Sequence, residues 1–158
     1  MCPQSESQLS ATVLKVRPYQ PADSEAIYEI CRQSPAAAQW PKESYEQAHS
    51  SGQIVLIAER DARVYAFLVA RIVGDEAEIL NTAVDPSYRR KGTGTLLLKA
   101  AISEAQAHKV KSIYLEVRES NSAAIAFYGR QGFEKTAERR EYYSGPTENA
   151  VVMKKITV

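Results

Sequence analysis

The sequence predicts a mixed α/β fold, a largely antiparallel sheet interrupted by one parallel crossover. Three observations lead there. Three β-rich runs, Ile54 to Glu59, Val64 to Val73 and Glu76 to Val84, are separated only by Arg60-Asp61-Ala62-Arg63 and Gly74-Asp75. Connections that short join antiparallel neighbours. From 79 to 117 the order becomes strand, helix, strand, which requires a right-handed crossover and makes 79–84 and 112–117 parallel. Two more β-rich runs, Phe133 to Tyr143 and Ala150 to Val158, flank Ser144-Gly145-Pro146-Thr147 and read as a closing pair.

The chain has 158 residues, 44% of them hydrophobic and 25% charged, ordinary values for a globular protein with a real core. No linker, repeat or low-complexity segment divides it, so a single domain over 11–158 is expected. The first eight residues have no cation and lead into no apolar segment. A frayed, disordered tail at 1–10 is expected rather than a signal peptide. A formal charge of +1 gives no global sign of nucleic-acid or membrane binding. No apolar run approaches the ~18–20 residues of a membrane span. Cys2 and Cys31 form no metal-ligand spacing and are too few for a disulfide framework. The expectation is a reduced, cytoplasmic setting and no metal.

Val13 to Arg17 alternates with period two and stops at Pro18, a first strand. Pro21 opens a helix with Asp23 and Glu25 in its first turn, Ala26, Ile27, Ile30 and Cys31 at helical spacing, and Ser34-Pro35 as its stop. Trp40-Pro41 starts a shorter helix to about Ser50. The helix from about Gly92 to His108 aligns Leu97, Ala101 and Ala105, with Leu98 and Ile102 beside them, as a core-facing stripe. Ser120-Asn121-Ser122 supplies capping residues for an apolar helix that Gly132 ends.

The stretch Thr82 to Thr95 reads T-A-V-D-P-S-Y-R-R-K-G-T-G-T. It joins a strand end to a helix start through three cations, Arg89, Arg90 and Lys91, and the glycines Gly92 and Gly94. Glycine lets the backbone approach a ligand, successive N–H groups can converge on one anion, and the helix start adds positive potential. A phosphate-bearing ligand is expected here; a solvated charge run is the alternative.

The R-x-x-G-x-G of Arg89, Gly92 and Gly94, after V-D-P and before a Leu-rich helix, resembles the acetyl-CoA loop of the GNAT superfamily of N-acetyltransferases. The run Leu115 to Phe133 (L-E-V-R-E-S-N-S-A-A-I-A-F-Y-G-R-Q-G-F), then Arg139-Arg140-Glu141-Tyr142-Tyr143 and a terminal A-V-V-M strand, resemble its RimI-type branch. That branch acetylates N-terminal alanines of proteins. The likeness covers roughly 13 to 156 and is weakest before Trp40. It implies a cofactor cleft where the strands equivalent to 79–84 and 112–117 splay apart. The backbone of Thr82, Ala83 and Val84 would pair with the pantetheine arm. Residues 90–95 (Arg90, Lys91, Gly92, Thr93, Gly94, Thr95), preceded by Arg89, would hold the pyrophosphate, and Asn121 would reach the cofactor further along.

The reaction so implied is attack of an amine on the acetyl-CoA thioester. A free α-amine has a pKa near about 7.7–8.0, so a base need remove only one proton. By resemblance that base is Glu116 and the general acid is Tyr128. From pattern alone, Glu116 could equally point out of the sheet and Tyr128 could be a core aromatic beside Phe127. Tyr142 and Tyr143 match the substrate-side strand or are ordinary strand aromatics. Trp40 lines the peptide groove or simply packs. The partner expected is the N-terminus of a small-subunit ribosomal protein. Two other readings stand beside it: the same chemistry on a lysine, polyamine, aminoglycoside or other small amine, and a non-catalytic acetyl-CoA-binding module.

Overall fold

The computed structural model describes residues 13–157; the tail expected at 1–10 lies outside them. Seven strands form one sheet in the order β1-β2-β3-β4-β5-β7-β6. They are β1 (Lys15–Pro18), β2 (Ile54–Arg60), β3 (Arg63–Val73), β4 (Glu76–Val84), β5 (Ser112–Arg118), β6 (Glu134–Tyr143) and β7 (Glu148–Ile156). Four helices accompany them: α1 (Ser24–Arg32), α2 (Lys42–Ser50), α3 (Thr93–Ala107) and α4 (Ser122–Arg130). The fold class is the one the sequence predicts. By contact density the chain divides into two compact units, and β3, β4 and α3 contribute to both.

The first unit contains residues 13–69 and 81–101 of the described chain. Its core is Ile27, Tyr45, Ile57, Phe67, Leu97 and Leu98, all at most 2% exposed. The β2–β3 hairpin closes on two residues, Asp61 and Ala62, with φ of 52° and 62°. That doubly left-handed turn matches the twist of the flanking strands. The sequence reading left four residues, Arg60 to Arg63, between the two runs; the strands take up Arg60 and Arg63. Strand twist wins over the ~1–2 kcal/mol that a left-handed alanine costs.

The second unit contains residues 70–80 and 102–157. Its parallel pair joins Glu76, Ala77 and Glu78 of β4 to Ser112, Ile113 and Tyr114 of β5. The pairing therefore uses the start of β4 rather than the 79–84 stretch expected. On the other side of β5 lies β7, in antiparallel register from Ser112↔Ile156 to Arg118↔Ala150. The closing pair forms as expected, an antiparallel hairpin of β6 and β7, and its second strand is the one that joins β5. That leaves β6 as the edge, exposed from Glu134 to Tyr142 and dense in charge, which blocks pairing with foreign strands.

One irregularity in β6 matters for the site. Arg139 is opposite Ala150 and Tyr143 opposite Glu148, so residues 140–142 face Asn149 alone. Glu141 adopts φ 50° and its N–H donates to Asn149 Oδ1 at 3.0 Å. Such a bulge redirects the side chains around it.

Candidate active site

In the first unit, β4 delivers the chain to Asp85, whose N–H donates to Tyr65 O at 2.7 Å. Asp85 Oδ1 accepts the Ser87 N–H (2.9 Å) and hydroxyl (2.6 Å), capping a turn over Pro86–Tyr88. Burial pushes the Asp85 pKa up, but these hydrogen bonds with Arg63 and Arg89 nearby outweigh it and hold the carboxyl below its usual range. The chain then alternates in handedness, with Arg90 at φ 60°, Lys91 on the ordinary side and Gly92 at φ 81°. Alternation of this kind makes a concavity of backbone N–H groups. Helix α3 starts immediately after it at Thr93, whose Oγ1 donates to Tyr88 O at 3.2 Å. A nest feeding a helix start fits a pyrophosphate.

The side chains of this stretch divide sharply. Arg90 and Lys91 are exposed, and Lys91 Nζ lies 5.1 Å above the Tyr88 ring, which stacks on Tyr65 at 3.7 Å. Arg89 turns back into its own unit: Nε donates to Val84 O (3.1 Å), Nη2 to Gln33 O (3.2 Å) and Ser34 Oγ (2.9 Å). Along β4, Thr82 Oγ1 donates to Phe67 O at 2.8 Å, and Ala83 is buried. Asn81, 4% exposed, donates from Nδ2 to Ala38 O at 2.9 Å, while its Oδ1 has no hydrogen-bond partner among the described residues. Trp40 is half-buried with its ring 5.5 Å from that of Tyr45, so at least one face of it packs.

In the second unit, Glu116 projects from the middle of β5 with a side chain only 15% exposed. Its Oε1 lies 3.1 Å from Arg139 Nε. Interaction with the Glu116 carboxylate, then burial, pushes the Tyr142 pKa up. Arg139 stacks its guanidinium 5.4 Å over the Tyr142 ring. The Tyr142 and Tyr143 centroids are 5.0 Å apart, edge to face, although successive residues of a regular strand face opposite ways. The bulge at 140–142 is what brings them together. Burial, followed by the Glu116 charge, pushes Tyr143 up to about 12. Arg118 covers the Tyr143 ring at 4.5 Å and pairs with Glu148 at 3.2 Å.

Tyr128 ends the apolar face of α4, 7% exposed, in edge contact with Phe127 and Phe133. Burial pushes its pKa up to about 12, so it is a protonated hydroxyl at neutral pH. No hydrogen bond joins it to Glu116 among the described residues. Asn121 caps α4, its Oδ1 accepting the Ala124 N–H at 3.2 Å.

Residues 22–133 match the profile of the acetyltransferase (GNAT) family. The chain belongs to this family. It is 37% identical over 135 residues to the ribosomal protein bS18-alanine N-acetyltransferase of Salmonella typhimurium, covering 83% of this chain and 89% of that one. The crystal structure of the ribosomal-protein-S18-alanine N-acetyltransferase of Escherichia coli superposes with a TM-score of 0.82 at 31% identity, covering 92% and 94% of the two chains. That of Ard1 from Thermoplasma volcanium gives 0.85 at 30% identity, covering 92% and 98%.

Three features of this acetyltransferase escaped sequence reasoning. Arg139 was visible inside the run R-R-E-Y-Y, but nothing there says that it pairs with Glu116. The bulge had a signal: two adjacent tyrosines expected on one substrate face cannot both reach it from a regular strand. Asn81 had a weaker one, as an amide inside an otherwise apolar strand end.

Proposed function

We propose that residues 11–158 work as one catalytic domain that acetylates the α-amine of a protein N-terminus in the cytoplasm, the substrate being an N-terminal alanine of a small-subunit ribosomal protein. The observation that carries this reading is the 37% identity to an enzyme named for that reaction, across 89% of its length. Acetyl-CoA supplies the acetyl group as a thioester. The alternating backbone at 90–92, the start of α3 and the exposed Arg90 and Lys91 suit its pyrophosphate, and the backbone of Thr82, Ala83 and Val84 suits its extended arm. Asn121 offers an amide nitrogen to the same ligand.

Glu116 takes a proton from the attacking amine, directly or through a water. Its carboxylate is already shaped to receive a cation and a hydroxyl, the two roles that Arg139 and Tyr142 fill in the resting site. Tyr128 gives its proton to the departing sulfur. A hydroxyl held protonated to about 12 is suited to donate and not to act as base. Tyr142 and Tyr143 frame the peptide N-terminus, and Trp40 flanks it.

The test compares an Ala-starting peptide with the same peptide N-terminally blocked, reading CoA release and peptide mass. Acetylation confined to the free N-terminus is expected. Acetylation that persists on the blocked peptide moves the substrate to lysine or another amine. Tight acetyl-CoA binding with no CoA release from any amine leaves a binding module.

A further inference from the structure

We propose that Arg89 and Asn81 form a two-point tether between the cofactor-pairing end of β4 and the α1–α2 segment, and that Arg89 serves amine-substrate binding instead of phosphate binding. This rests on the reading above that Thr82–Val84 pairs with the cofactor arm.

Arg89 sits where a phosphate ligand would be sought, yet its guanidinium is engaged elsewhere. Three of its five N–H donors are directed at Val84 O, Gln33 O and Ser34 Oγ. Gln33 is the C-cap of α1, so the cation also lies at the negative end of that helix. Ser34 is 8% exposed and fixed in turn by donating to Ile30 O at 2.9 Å. A guanidinium bridging a strand end and a helix C-terminus is anchored on both sides.

Asn81 makes the second point. Its Nδ2 donates to Ala38 O at 2.9 Å and more weakly to the Tyr45 hydroxyl at 3.4 Å, while its buried Oδ1 has no donor among the described residues. An unpartnered buried carbonyl carries a desolvation cost, which an apolar residue in this strand would avoid. What the amide adds is the hold on Ala38. Between the two points the segment is tied to itself: Gln39 Nε2 donates to Cys31 O, Ser34 O and Ala37 O at 3.0–3.1 Å, and Cys31 Sγ contacts Ala38 O at 3.0 Å. Residues 33–39 therefore move as one piece with β4. The tether points, Asn81 and Val84, bracket Thr82 and Ala83. Trp40, read above as flanking the peptide N-terminus, directly follows this segment. Tying 33–39 to β4 thus couples cofactor seating to the peptide's side of the site.

The test uses Arg89→Ala, Arg89→Lys and, from the far side of the contact, Ser34→Ala, which leaves the cofactor loop untouched. Arg89→Ala is expected to raise the peptide KM about tenfold, with kcat and the acetyl-CoA Kd within about twofold of wild type. Ser34→Ala shifts KM the same way by less. Arg89→Lys does not rescue KM, because an ammonium cannot bridge three fixed acceptors although it can bind phosphate. Amide hydrogen exchange in 33–40 is faster in all three variants, and acetyl-CoA slows it in the wild type more than in Arg89→Ala. A weakened acetyl-CoA Kd that Arg89→Lys restores would make Arg89 a phosphate ligand and overturn the proposal. So would unchanged peptide KM and unchanged exchange. If the wild type acetylates no peptide, the proposed function falls by itself, and the exchange measurements alone decide the tether.

Discussion

The turn from Asp85 to Thr93 and the Glu116 cluster are built by opposite means. From Asp85 to Thr93 the fold relies on backbone: two left-handed residues, a helix start, and an aspartate whose carboxylate is occupied in capping its own turn. The nearby cations are exposed or, for Arg89, turned elsewhere. Around Glu116 the reverse holds. A carboxylate, a guanidinium and two phenols are held against one another by a bulge, and the Glu116 charge raises the proton affinity of both phenols. A site made of backbone can bind tightly while tolerating side-chain change. A site made of coupled side chains cannot, and chemistry needs the coupling.

That contrast sets an order of effects. Tyr128→Phe removes the donated proton with little change of shape and should lower kcat by at least about 10²-fold, with the acetyl-CoA Kd nearly intact by calorimetry. A wild-type rate from this variant places the acid elsewhere. Glu116→Gln follows: the rate falls on the order of 10²-fold at low pH, where the amine is charged and needs a base, and less at high pH, where it is already neutral. The pH–rate profile reads this, and an unchanged profile removes Glu116 as base. Because the Glu116 charge favours protonated phenols, the same variant should lower the midpoints of Tyr142 and Tyr143 in an ultraviolet titration. Tyr143 moves only part of the way down from about 12, since burial is its first cause.

Effects in the turn are smaller and of another kind. Gly92→Ala meets no atom within 4 Å but is left at φ 81°, so about 1–2 kcal/mol of backbone strain is expected. It should appear as lost thermal stability and a several-fold weaker acetyl-CoA Kd with kcat preserved. The double change of Arg90 and Lys91 to alanine should cost about twofold to fivefold in Kd at low salt and almost nothing at high salt, as exposed charges are screened. If this pair instead matched Glu116→Gln in its effect on rate, the contrast would be wrong.

Local patterns were readable where one physical rule dominated. Leu97, Leu98, Ala101 and Ala105 are at most 5% exposed, as helical periodicity requires. The meander followed from linker length, and the anion turn from glycine and charge. What stayed hidden depends on tertiary balance. The insertion of β7 between β5 and β6 is a choice among pairings with the same local propensities. The direction of Arg89 depends on where Gln33 and Ser34 come to lie, more than fifty residues earlier. The doubly left-handed turn at Asp61-Ala62 goes against intrinsic preference and forms because two strands demand it.

The position of β7 has a consequence for how the chain reaches this structure. Of the last three strands β5 is made first and β6 next, and neither is the other's partner; both pair with β7, the last strand described. During synthesis the carboxylate strand and the bulged edge strand must wait, unjoined, until residues 148–156 emerge. Glu116, Arg139 and Tyr142 can meet only after that. A nascent chain stopped short of β7 would therefore lack the pairing that brings Glu116 to Arg139 and Tyr142.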